Sequence, residues 1–250
     1  MSTLTLQSKL KLRDGNEIPR LGFGTYELDG QDAYQGVFWA LERSLHLLFC
    51  ALIHKKDSAA WYENEKECGQ AILDFCKSTG ISRSEIFFTT KLKLNNGYAN
   101  VKKAIQKSVN ECGLGYIDLY LIHGPIGGPK ARKESWQAVC DAHAEGKLKS
   151  IGISTYGVGH MQEMVDAKVP LPVITQIDLH PFMTRTDVVA FCKKHEIAME
   201  GYVPLPKSAS KGRIVENTQI FDFELEAEEV AHLDTLDEGL TTDWDPTHEP

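Results

Sequence analysis

No Cys-x-x-Cys pair occurs in this chain, and its six cysteines, Cys50, Cys68, Cys76, Cys112, Cys140 and Cys192, are scattered over 250 residues. That scatter argues against a disulfide framework and points to reduced thiols in a cytoplasmic protein. Long apolar runs are missing too. The longest, Leu45 to Ile53, is interrupted by His46 and falls far short of the roughly 18 residues of a membrane span. The opening Met-Ser-Thr-Leu-Thr has no basic stretch leading into an apolar one, so no signal peptide is expected. Basic charge is not in excess. The net charge is −8, whereas a general nucleic-acid binder carries a basic face. No Gly-x-Gly-x-x-Gly opens a helix, which argues against a Rossmann cofactor site. Ser-His-Asp patterns and metal-ligand clusters are lacking, so no metal is expected. Repeats, linkers and low-complexity tracts are lacking as well, which leaves residues 1–250 as a single domain, expected to be a monomer.

What is present is a balanced globular composition, 42% hydrophobic and 25% charged. Lys9-Leu10-Lys11-Leu12 alternates, Arg13-Asp14-Gly15-Asn16 turns and Glu17-Ile18-Pro19 returns, which reads as an N-terminal β-hairpin. Strand and helix patterns then alternate. Strands are expected near 19–24, 47–53, 86–90, 116–122, 150–154, 173–179 and 197–206. Helices are expected near 31–44, 63–78, 98–112, 131–144, 158–167, 185–196, 211–217 and 226–236. Regular alternation with short loops implies a parallel sheet. The expected architecture is a TIM-type (β/α)8 barrel. It is expected to be incomplete, because a closed barrel needs eight strands and only one fits between 197 and 206.

Four polar residues stand near predicted strand ends: Asp57, Tyr62, Lys91 and His123. In a parallel barrel such residues share one face. Singly, each has an ordinary reading. A tyrosine after a strand packs, a lysine is solvated, a histidine is structural and Asp57 before Ser58 caps a helix. Jointly they suit carbonyl reduction, which needs a proton delivered to oxygen. A free phenol, with a pKa near 10, is a poor acid at neutral pH. A neighbouring ammonium lowers that value, and a carboxylate keeps the ammonium charged in a dry site. Lys207 and Arg213 flank Ser208 before a short helix, a grouping suited either to a phosphate monoester or to a solvated basic patch.

Gly22-Phe-Gly-Thr-Tyr26, Asp57-Ser-Ala-Ala-Trp-Tyr62, Thr89-Thr-Lys91-Leu, Asp118-Leu-Tyr-Leu-Ile-His123, Ile151-Gly-Ile-Ser154, Gln176-Ile-Asp-Leu-His-Pro181 and Pro206-Lys-Ser208 together resemble the signatures of the aldo-keto reductases, in family order. The resemblance implies NADPH-dependent reduction of aldehydes or ketones. Among its roles is that of a tailoring ketoreductase in secondary metabolism. It assigns Tyr62 as general acid, Lys91 and Asp57 as its tuning pair, and His123 as the group orienting the carbonyl. It implies cofactor contacts from Thr25, Ser154, Thr155, Gln176, Lys207, Ser208, Arg213 and Asn217. Tyr26, His123 and Gly124 would line the substrate pocket, and the partner is a small-molecule carbonyl compound.

The chain departs from that pattern at several points. Thr155 stands where the family usually has Asn, and Tyr26 where it often has Trp. Gly124 stands where many members carry an aromatic residue, which implies a wider pocket. Residues 43–56 are longer than, and unlike, the usual second strand. Residues 197–206 run the seventh strand into the eighth with no helix between, and Tyr202-Val-Pro-Leu205 reads as the lead into strand eight. A catalytically weak barrel serving as a cofactor-binding or auxiliary protein is the alternative.

Overall fold

A computed structural model describes residues 4–28, 30–43, 47–49, 64–202, 204–242 and 244–250, with 47–49 and 202 described by their backbone. Strands β1 (Lys9–Lys11) and β2 (Glu17–Pro19) form the antiparallel hairpin expected from the turn at Asp14-Gly15. The chain then alternates through β3 (Phe23–Gly24), α1 (Gly30–Glu42), β4 (Leu47–Phe49), α2 (Glu65–Thr79), β5 (Phe87–Leu92), α3 (Tyr98–Cys112), β6 (Ile117–Ile122), α4 (Gly128–Ala144), β7 (Leu148–Ser154), α5 (Val158–Asp166), β8 (Ile174–Gln176), α6 (Thr186–Lys194) and β9 (Ala198–Met199). Helices α7 (Lys211–Glu216) and α8 (Ala227–Leu233) follow. Strands β3 to β9 form one seven-stranded sheet in sequence order, with every pair parallel.

The sheet curls into a barrel because its two faces bury different things. Leu119 and Leu121 of β6 pack inward with Phe87 and Ile174, while Tyr120 and Ile122 pack outward against the helices. Leu12 and Ile18 of the hairpin join the inner cluster and plug the N-terminal end. The hairpin turn is tied there as well. Asn16 donates to Ser150 Oγ at 3.0 Å, and Ser150 donates to Asp14 at 2.7 Å. The inner face is tight at Gly152. A Cβ there would lie 2.5 Å from the Ile174 carbonyl oxygen and 2.7 Å from Leu121 Cδ2.

The incomplete barrel takes a particular form. The segment expected as one strand over 197–206 divides in two. β9 pairs with β8, a single 3-10 turn over Glu200–Tyr202 follows, and residues 204–207 then lie along β3. Gly22 and Gly24 donate to the carbonyls of Pro204 and Pro206, each at 3.1 Å. Among the described residues the crossover helix is lacking, while the eighth strand position is held by a short closing segment. Gly201 permits the turn, since a Cβ there would come within 2.5 Å of Leu179 Cβ. Cys68, Cys76, Cys112, Cys140 and Cys192 are free thiols. Among the described residues no helix is long and apolar enough to cross a membrane.

Candidate active site

Strand alternation builds the site. With Phe87 facing inward on β5, Lys91 two pleats later faces inward at the C-terminal end. The same count from Leu119 and Leu121 brings His123 inward, and from Ile174 it brings Gln176 inward. Ser154, at the end of β7, joins them. These four side chains from four neighbouring strands line one cavity of about 380 Å³ at the C-terminal end of the barrel. Lys91, His123 and Ser154 are all buried. Gly24, Tyr26, Leu205 and Lys207 close the opposite wall.

Thr155 ties the strand ends together. Its hydroxyl donates to the His123 carbonyl at 2.9 Å, and its N–H donates to the Gln176 carbonyl at 2.8 Å. It does so at φ +54°, a left-handed conformation that strains a β-branched residue. Asn95 donates to the carbonyls of Gly124 and Ile126, both at 2.8 Å, and so fixes the loop after His123.

The expected site residues divide into three groups. Tyr26, Lys91, His123, Ser154, Thr155, Gln176 and Lys207 meet at the cavity. Thr25 is fully buried off the cavity wall, with its carbonyl accepting from Asn64 at 3.1 Å. Ser208 is buried and its hydroxyl accepts from the Ser210 N–H at 3.0 Å, while Arg213 lies exposed on α7 and Asn217 caps the end of that helix. Asp57 and Tyr62 lie outside the described residues. So does most of the 43–56 segment. α7 has only six residues. Lys207 itself lies 3.6 Å from Glu27, with both side chains partly solvated, and its ammonium stands 5.9 Å from the Tyr26 ring.

Gly124 does not open the pocket as its small size implies. The C-terminal tail delivers Trp244 to that place. A Cβ on Gly124 would be 2.6 Å from Trp244 Cη2, and the indole meets the His123 ring edge-on at 6.2 Å. Trp244 was not foreseeable locally, since the tail around it is acidic and without periodicity. A second residue missed from the sequence is Glu200, buried in the turn after β9 and lining the same cavity. Its local signal was a carboxylate immediately following an apolar strand. Burial pushes the Glu200 carboxyl up to about 8, against the opposing pull of Lys91.

Fold and site together define a parallel α/β barrel with its polar residues gathered at the strand C-termini, where such barrels hold their active sites. The model of the aldo/keto reductase family matches residues 20–238, and the chain belongs to that family. An oxidoreductase of Schizosaccharomyces pombe is 36% identical over 284 aligned positions, covering 98% of this chain and 99% of the relative. Methylglyoxal reductase DkgA of Escherichia coli is 30% identical, covering 95% of this chain and 96% of its own. An aldo-keto reductase from a deep-sea metagenome superposes with a TM-score of 0.84 at 27% identity, covering 97% of this chain and all of the other. The Bombyx mori aldo-keto reductase solved in complex with NADP superposes with a TM-score of 0.82 at 29% identity, covering 95% of each chain. The alignment to the fission yeast relative is longer than the 250 residues of this chain.

Proposed function

We propose that this protein reduces a small aldehyde or ketone to its alcohol with NADPH, with Tyr62 as the proton donor. The observation that carries the reading is the convergence of Lys91, His123, Ser154 and Gln176, from four successive strands, on one cavity. The residues present fit the cofactor. Ser154 and Gln176 offer hydrogen-bonding groups suited to a carboxamide, and Lys207 and Arg213 offer charges suited to a 2′-phosphate. At Gly24 the missing side chain leaves the backbone bare, where a Cβ would lie 2.9 Å from the Leu205 carbonyl oxygen. When bound, NADPH supplies the hydride. Lys91 holds positive charge in the buried wall and lowers the phenol's hold on its proton. His123 directs the carbonyl oxygen by hydrogen bonding, and Asp57 balances Lys91.

The pocket supports a substrate class. With Trp244 beside His123 and a volume of about 380 Å³, a short aldehyde or dicarbonyl suits the site better than a bulky natural-product ketone of secondary metabolism. The name of the E. coli relative, methylglyoxal reductase, points the same way. The competing reading is an auxiliary barrel with little activity. It is favoured by the bare 3-10 turn that replaces the seventh crossover helix. NADPH oxidation in the presence of methylglyoxal, propanal and an aryl ketone decides between the two. A wild-type rate well above that of Tyr62→Phe is expected. Equal rates for the two proteins, with NADPH still quenching tryptophan fluorescence, would establish the auxiliary reading instead.

A further inference from the structure

We propose that Glu200 is a positioning residue of this reaction, acting through Lys91 by switching the net charge of the Glu200–Lys91 pair in the cavity wall. The inference rests on the carbonyl-reductase reading and adds to it a second acidic group.

Geometry places Glu200 in the wall of the same cavity as Lys91. In β9, Ala198 packs with the inner cluster and Met199 with the outer one, and Glu200, which opens the 3-10 turn that follows, lines the cavity. Thr175 pairs with Met199, which sets Glu200 at the level of Gln176, at the same end of the barrel as Lys91 and His123. Only 2% of Glu200 is exposed. Both carboxyl oxygens are shut away from solvent, and neither has a hydrogen-bond partner among the described residues. A buried carboxyl without hydrogen bonds is costly, and an apolar residue of equal size would be stable in its place. What the carboxyl has there is charge interaction with Lys91. Its oxygens are too deeply enclosed to grip a substrate directly, so its effect passes through the ammonium.

Other titratable groups face the same cavity: Tyr26 after β3, His123 after β6, Asp178 after β8 and Lys207 on the closing segment. Asp57 and Tyr62, outside the described residues, belong to the same set under the proposed reading. With Glu200 protonated, the pair carries one positive charge and the pull of Lys91 on the proton donor is not offset by Glu200. When Glu200 releases its proton to solvent, the pair becomes neutral and that influence falls. Because burial raises this carboxyl from its ordinary 4.5 to about 8, the change falls in weakly alkaline solution.

The test compares wild type, Glu200→Gln and Glu200→Asp in kcat for methylglyoxal reduction across pH. Wild type should lose activity as pH rises through about 8. Glu200→Gln, permanently neutral, should keep its rate there, with an advantage over wild type that grows through the midpoint and levels off at roughly tenfold. Glu200→Asp should keep the alkaline loss. A second readout needs no turnover. A carboxyl whose folded pKa lies above its unfolded value stabilises the fold at low pH, and that contribution is lost as pH rises through the folded value. The urea midpoint of wild type relative to Glu200→Gln should therefore fall between about pH 4.5 and 8. Superimposable pH profiles for wild type and Glu200→Gln would overturn the inference. If the Gln variant does not fold, loss of the alkaline limb in Glu200→Asp would overturn it equally. Failure of the function itself shows differently, as a Tyr62→Phe rate equal to wild type while the pH-dependent difference in urea midpoint persists.

Discussion

Asp118→Ala should remove about 4 kcal/mol of stability while leaving the chemistry of the folded fraction nearly untouched. Asp118 sits near the start of β6, at the end of the strand opposite His123. Its Oδ2 accepts from Arg83 Nη2 at 2.5 Å and from the Phe88 N–H at 2.9 Å. Arg83 also stacks over the Tyr116 ring at 4.5 Å and donates to the carbonyl of Ile86. The two charged side chains are 14% and 12% exposed, so solvent screens them little. Breaking such a pair by removing one partner costs about 3–5 kcal/mol, because the other charge stays buried. The Phe88 N–H loses its acceptor as well, a penalty of about 1–3 kcal/mol. Both losses fall on one oxygen, so they overlap and do not add. Against a typical total stability of about 5–15 kcal/mol, the change is large. Burial raises the Asp118 carboxyl above its ordinary value, outweighing the opposing effects of Arg83 and the Phe88 N–H. The ion pair is therefore not itself a strong stabiliser, and replacing both partners, as in Arg83→Met with Asp118→Leu, should recover part of the loss. Urea denaturation of the two single variants and the double variant measures this directly. A loss below about 1 kcal/mol for Asp118→Ala, or a double variant as unstable as the sum of the singles, would refute the reasoning.

Three other outcomes are expected. Trp244→Ala should empty the space above Gly124 and raise kcat/KM for an aryl ketone roughly tenfold relative to propanal, measured by NADPH oxidation. Thr155→Asn should raise stability by about 1 kcal/mol, because asparagine tolerates the left-handed backbone that strains threonine and its amide can still donate to the His123 carbonyl; a lower urea midpoint would contradict this. Lys207→Ala should weaken NADPH binding about tenfold in fluorescence titration while barely altering NADH binding, since under the proposed reading Lys207 serves the 2′-phosphate.

How much was legible beforehand depends on how local each cause is. Helix α3 was expected over 98–112 and is found there, because Val101 and Ile105 set its buried face and Gly113 ends it in a left-handed cap. Helix α4 begins earlier than its apolar pattern suggests, at Gly128, where Pro129 suits the first turn of a helix. Strand β8 is shorter than its apolar run over 173–179, since ladder pairing with β7 and β9 covers only Ile174–Gln176. Lys91 and His123 were findable because strand ends and period-two alternation are written in neighbouring residues. Arg213 and Asn217 were placed by family order, and α7 carries them outside the cavity wall.

The order of residues determined the parallel barrel and the family, since hydrophobic period, turn chemistry and motif sequence are properties of short stretches. The folded chain alone decided what meets at the cavity from a distance. It closed the barrel through residues 204–207 on β3 and laid the tail's Trp244 over Gly124. It also shut the Glu200 carboxyl into the cavity wall that carries Lys91. Such encounters join residues far apart along the chain, and burial and charge coupling arise only once the intervening structure has expelled water from between them.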